Sequence, residues 1–228
     1  MSSTRLPGKS LADIGGEPAL ALLLRRVGRA GSLGAVYVAT SDEEMDDPIA
    51  TLASELGVGV GRGPREDVLA RFLGVLGAYD GPVVRITGDC PLIDPEVIDA
   101  TVELYRGTPG CAYASNVEPR FFPDGLDVEV VDADALRAIA AAPLSAADRE
   151  HVTTAIRADP ERFPAATLIR DEDLGELRWT IDEADDLAFV RALVERLGAR
   201  RYDAPLQEIL EAVRTPPSLA GFGGARRG

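Results

Sequence analysis

V-V-R-I-T-G-D-C-P-L-I-D, residues 83–94, opens with a β-rich apolar run, turns at a glycine and meets an acidic residue at once. The run V-V-R-I-T (83–87) predicts a strand buried on both faces. The loop G-D-C-P-L-I-D-P (88–95) follows, then a helix to about Tyr105. In open α/β sheets the carboxyl ends of the strands face the ligand crevice. Asp89 stands at that end, after a Gly88 that frees the backbone. Upstream, A-V-Y-V-A-T (35–40) predicts a second buried strand, with helices at 17–30, 46–56 and 65–79 and a short strand at 57–60. Strands alternating with helical stretches predict an α/β, three-layer architecture: a mostly parallel sheet with helices on both faces.

Downstream, 111–115 predicts a strand, 116–125 a loop, and D-V-E-V-V (127–131) an alternating, half-exposed strand. Helices are predicted at 132–141, 145–158, 183–197 and 205–213, and strands at 165–170 and 177–181. No repeat or linker divides the chain. It reads as one domain over 1–214, with about 116–170 as a small lobe covering one side of the site and 215–228 as a disordered Pro/Gly-rich tail.

Composition narrows the function classes. The formal charge is −14 and no basic run is present, which argues against a nucleic-acid partner. No apolar run approaches the ~18 residues of a membrane span, and no signal-peptide pattern opens the chain. Cys90 and Cys111 make no disulfide framework, so a reduced, cytoplasmic protein is expected.

Four segments carry candidate chemistry. In S-T-R-L-P-G-K (3–9), Arg5 and Lys9 lie four apart across a Pro-Gly turn, where a guanidinium, an ammonium and exposed backbone N–H groups suit a triphosphate. Of the 24 cationic residues, 23 are Arg, and Lys9 is the single lysine. In the second segment Asp89 is a candidate Mg²⁺ ligand. Asp94 precedes Pro95 and Glu96 and fits a helix N-cap instead. In R-W-T-I-D-E-A-D-D-L (178–187), Asp182 ends a predicted strand as Asp89 does. With no nearby Lys, the two could share one hard cation, although Asp182 also suits a helix N-terminus. The fourth pair is P-D-G-L-D-V-E-V (123–130) and R-E-H-V-T (149–153), which holds the only histidine, His151. Asp127 and Glu129 alternate and could simply face water.

In this order the four segments resemble the cytidylyltransferases that activate acidic sugars, the CMP-sialate and CMP-KDO synthetases and their relatives, and most of all the SpsF-type spore coat polysaccharide branch. The likeness covers about residues 2–198. It implies a Rossmann-like nucleotidyltransferase fold, often a homodimer, with CTP as donor, a sugar acceptor and Mg²⁺ as cofactor. It further implies that Ser3, Thr4, Arg5, Gly8, Lys9 and Gly88 bind the nucleotide, with Arg5, Lys9 and Asp89 carrying catalysis. Asp89 and Asp182 would ligate the metal, and Asp124, Asp127, Glu150 and His151 would shape the acceptor side.

The resemblance also implies a buried strand before the S-T-R-L-P-G-K loop, between A-V-Y-V-A-T and V-V-R-I-T. The present chain starts inside that motif, so a slot in the sheet beside residues 2–9 is expected. Two other readings stay open: a glycosyltransferase of similar fold, which would usually present Asp-x-Asp where this chain has Gly88-Asp89-Cys90, and a nucleotide-binding homologue without turnover.

Overall fold

The computed structural model describes residues 6–222 and 226. Its strands are β1 (Tyr37–Ser41), β2 (Gly59–Gly63), β3 (Pro82–Arg85), β4 (Tyr113–Ser115), β5 (Glu129–Asp132) and β6 (Ala165–Thr167). The helices are α1 (Ala19–Val27), α2 (Asp47–Glu55), α3 (Val68–Leu76), α4 (Pro95–Gly107), α5 (Ala133–Ala140), α6 (Ala146–His151), α7 (Thr154–Arg157), α8 (Ala184–Leu197) and α9 (Leu206–Arg214). This is the expected α/β arrangement with helices on both faces of the strands. Val84, Val128 and Val130 pack toward α1 and α4, while Val83, Val131 and Tyr113 pack toward α3, α5 and α7. Adjacent residues of β5 thus feed opposite layers, as the period of two requires.

The pairing is mixed rather than mostly parallel. β1 pairs β2 and β4 pairs β6 in parallel, whereas β5 runs antiparallel to both β3 and β4. The strands form two sheets, β1-β2 and β3-β5-β4-β6. Among the described residues β1 and β3 are therefore both edges, although Val38 of one and Val84 of the other pack on the same apolar cluster, with Val36 just before β1 and Ile86 just after β3. The slot expected beside residues 2–9 involves residues 2–5, which lie outside the described residues.

Other expectations are corrected. D-V-E-V-V is not half-exposed: β5 is central in its sheet, and Glu129, Val130 and Val131 are all buried. The alternation misleads because Glu129 is satisfied internally, as a buried carboxylate must be. It accepts from Tyr113 Oη at 2.6 Å, from Thr153 Oγ1 at 2.6 Å and from Arg85 Nη1. The helix predicted over 145–158 is broken into α6 and α7 at Val152, whose φ is 61°. The Thr153 amide bonds the His151 carbonyl at 2.6 Å, which closes a three-residue turn of the rarer, strained hand. The strand predicted at 177–181 makes only isolated bridges, Asp124↔Arg178 and Leu177↔Arg226. Of the expected tail, Leu219 is buried and its amide bonds Val213 O at 2.8 Å.

Gly125 shows how tightly the 123–126 loop is fitted. Its φ is 109°, and a Cβ there would lie 2.6 Å from Thr180 N and 2.7 Å from the Trp179 carbonyl carbon. Both neighbours are backbone and cannot turn aside. Gly125→Ala is expected to lower stability by more than about 1 kcal/mol, read as a fall in denaturant midpoint at constant slope. An unchanged midpoint would mean that this loop is looser than its geometry.

Candidate active site

The site begins with a turn. The Lys9 amide bonds Leu6 O at 3.3 Å across Pro7-Gly8, and Gly8 has φ 75° and ψ 10°. Pro at the second position and a left-handed Gly at the third are the type II signature. The turn aims Lys9 inward. Its Nζ donates to Asp89 Oδ2 at 2.6 Å and to Asp182 Oδ1 at 2.7 Å. The carboxylates that were expected to stand clear of any lysine therefore share one. The single lysine comes from 80 and 173 residues away in the chain.

Backbone contacts bring the two acids together. Ile181 N and Thr180 Oγ1 both donate to Asp89 O, at 2.9 and 3.2 Å. That pins the end of the 177–181 segment beside the loop after β3, so the residues that follow each strand-like run converge. Asp182 is not the cap of α8: Glu183 is, in a capping box with Asp186. Asp186 is buried and accepts from the amides of Asp182 and Glu183, each at 2.9 Å, which fixes the approach of Asp182. Arg178 donates to Asp182 at 3.2 Å and to Asp186 at 2.9 Å. Asp94 is the N-cap of α4, accepting from Glu96 N, and its other oxygen accepts from Leu206 N at 2.6 Å.

Burial opposes charge on both members of the central pair and is outweighed. Burial alone would raise the Asp89 pKa, but Lys9 and hydrogen bonds hold it below its ordinary value. Burial would lower that of Lys9, but the two carboxylates raise it. The neighbouring Cys90 thiol is pushed well up by burial and then by Asp89, which leaves it a protonated, poor nucleophile. Gly88 opens this loop, and a Cβ added there would lie 3.9 Å from Ser10 Oγ.

On the adjoining flank the 123–126 loop is threaded onto the same segment: Asp124 N bonds Leu177 O at 2.9 Å and Trp179 N bonds Asp124 O at 2.6 Å. Asp127 does not face water alone; Arg120 grips both its oxygens at 2.5 and 2.8 Å and stands 3.8 Å from Asp124. Glu150 and His151 are exposed on α6, and among the described contacts neither side chain reaches the Lys9 cluster. Ser3, Thr4 and Arg5 lie outside the described residues. Arg120, Arg178 and Asp186 were not singled out from sequence; their signal, charges flanking the D-G-L-D and T-I-D runs, is common on any surface.

Two converging carboxylates holding a cationic group at short range suit a hard divalent ion, which commonly takes one or two carboxylates and completes its shell with water and phosphate oxygens. Among the described residues no group of three or more His, Cys, Asp or Glu could hold a metal, so this pair would depend on such added ligands. No helix among the described residues is long and apolar enough to cross a membrane.

The α/β fold is of the nucleotidyltransferase class, with two acids and a lysine gathered where the loop after β3 meets the 177–182 segment. Within it, this chain belongs to the cytidylyltransferase family, whose sequence model matches residues 1–193. It is 33% identical to the spore coat polysaccharide biosynthesis protein SpsF of Bacillus subtilis, over 96% of this chain and 93% of that protein. It is 34% identical to the uncharacterized protein MJ1063 of Methanocaldococcus jannaschii, over 95% of this chain and 88% of the other. Among solved structures, a cytidylyltransferase from Leptospira borgpetersenii superposes with a TM-score of 0.89 at 29% identity, covering 95% of this chain and 91% of that one. A CMP-KDO synthetase complexed with CTP shares the fold at a TM-score of 0.64 and 19% identity, covering 85% and 94%.

Proposed function

We propose that this protein transfers a cytidylyl group from CTP to a sugar, an acylneuraminate-like or KDO-like acid, and releases pyrophosphate in surface polysaccharide synthesis. The observation that carries the reading is Lys9 Nζ seated between Asp89 and Asp182 where the β3 loop and the 177–182 segment converge. Family membership supports the nucleotide chemistry, and the partly matching 8-amino-3,8-dideoxy-manno-octulosonate cytidylyltransferase of Shewanella amazonensis, 38% identical over 47% of this chain, points to the acceptor class.

In this reading a sugar hydroxyl attacks the α-phosphorus, the α–β phosphoanhydride breaks and pyrophosphate leaves in line. The protein's work is positioning and charge neutralisation. Lys9, Arg5, Gly8 and Gly88, with Ser3 and Thr4, hold the triphosphate. Asp89 and Asp182 would hold Mg²⁺, which would supply charge neutralisation at the phosphates. Arg178 and Asp186 fix Asp182. Arg120, Asp124 and Asp127 shape the acceptor flank, within a lobe of a single domain. The protein acts in the cytoplasm as a homodimer.

The test is pyrophosphate release from CTP with a panel of 3-deoxy-ulosonic acids and neutral sugars. Release dependent on one acid supports the reading; none with any of them, against transfer from a preformed nucleotide-sugar, would replace it with glycosyl transfer. Within a working assay, His151→Ala is expected to raise the acceptor KM or lower kcat while CTP affinity stays nearly intact. A large loss of CTP binding would move His151 to the nucleotide side.

A further inference from the structure

We infer that Lys9 is an internal stand-in for the divalent cation, so that metal and nucleotide enter this site by exchange: Lys9 leaves the Asp89–Asp182 pair for the phosphates as the metal takes its place. The inference rests on the reading above that these two acids hold a divalent ion.

Three observations carry it. Lys9 Nζ is 2.6 Å from Asp89 Oδ2 and 2.7 Å from Asp182 Oδ1, so one ammonium bridges the two oxygens that one metal ion would bridge. The acids are held by the rest of the fold, through Ile181 and Thr180 on Asp89 O and through Asp186 on the Asp182 amide. The pair therefore persists whichever cation fills it. Lys9, by contrast, sits on a flexible four-carbon stem at the edge of a Pro7-Gly8 turn, with its side chain 15% exposed. An ammonium on such a stem can swing while its backbone stays put.

The physical consequence is coupling. A metal arriving alone must displace a charge-assisted ion pair and leave Lys9 without a counter-charge. A triphosphate arriving alone must draw Lys9 away and so remove its charge from both acids. Arriving together, metal and triphosphate satisfy both sets of groups. Each should therefore raise the affinity of the other, and by the same factor. The exchange makes metal without nucleotide a weak ligand.

Lys9 is the only lysine in the chain, so the wild-type protein can report on it directly. With ¹⁵N-lysine labelling, a single side-chain Nζ resonance is expected, and it should be unmoved by low Mg²⁺, then shift when CTP and Mg²⁺ are added together. Calorimetry with Mn²⁺ as the probe supplies the second readout. Lys9→Met should bind Mn²⁺ alone at least about 10-fold more tightly than wild type, since one charge-assisted competitor is gone. CTP should enhance Mn²⁺ binding by a smaller factor in the variant. If Mn²⁺ binds wild type with CTP but the Nζ signal stays in place, or Lys9→Met leaves metal-only affinity unchanged, the exchange is overturned and the metal site stands. If Mn²⁺ with CTP binds wild type, Asp89→Asn and Asp182→Asn alike, the metal site itself falls, and the exchange with it.

Discussion

Replacing Asp89 by Asn is expected to lower Mg²⁺-dependent kcat by on the order of 100-fold or more, as loss of one fixed electrostatic group does in comparable sites. The argument starts from position. Asp89 lies in the loop after β3, its carbonyl anchors Ile181 and Thr180, and its carboxylate is one of two that meet Lys9. Asparagine keeps the volume, the backbone and the carbonyl anchor, so the fold should survive. What disappears is one of the two carboxylate charges that, in the proposed function, would hold the cation neutralising the phosphates. Asp182→Asn should behave alike, and the double variant should lose far less than the product of the two, because both act on one cation. Steady-state pyrophosphate release over a Mg²⁺ series is the measurement. Turnover unchanged in Asp89→Asn would remove this residue from the chemistry.

The second large effect concerns stability. Arg26, on α1, is fully buried and donates to Ile93 O at 2.6 Å, to Arg201 O at 2.7 Å and to Ala204 O at 2.8 Å. Burial pulls its pKa down to about 10, the nearby Asp94 acting against it, so the guanidinium stays charged at neutral pH. One side chain thereby ties α1 to the loop before α4 and to the segment between α8 and α9. Arg26→Met fills much of the same space and leaves three carbonyls without their donor. At about 1–3 kcal/mol for each buried group left unmet, the loss should be on the order of 3 kcal/mol or more, against a typical total of about 5–15. Chemical denaturation of the variant checks this. A midpoint close to wild type would mean that water replaces the guanidinium at no great cost.

What the sequence disclosed followed from local rules. V-V-R-I-T before Gly88 and Asp89 could be read because a buried strand and its ligand-facing end are encoded in adjacent residues. Asp94 could be read as a cap for the same reason. The meeting of Lys9 with Asp89 and Asp182 could not, because it depends on a turn aiming one side chain at two acids that lie 80 and 173 residues away in the chain. Glu129 was misread since the pattern that marks a water-facing residue is identical to that of a buried one whose partners, Arg85, Tyr113 and Thr153, come from three other segments. The break at Val152 carries no breaker residue. A buried valine held at φ 61° answers to the Thr153–Glu129 bond and the packing around it, not to propensity.

The division of the strands into two sheets also has a kinetic and colloidal meaning. β1 pairs only β2 and β3 pairs only β5, so among the described residues each offers one open row of backbone groups beside a shared apolar cluster. Among the described residues the amides on those rows have no ladder partner, and on that pairing they should exchange with deuterium sooner than their neighbours one residue along, giving a period-two protection pattern in Tyr37–Ser41 and Pro82–Arg85. Open rows are also templates for any extended peptide that meets them.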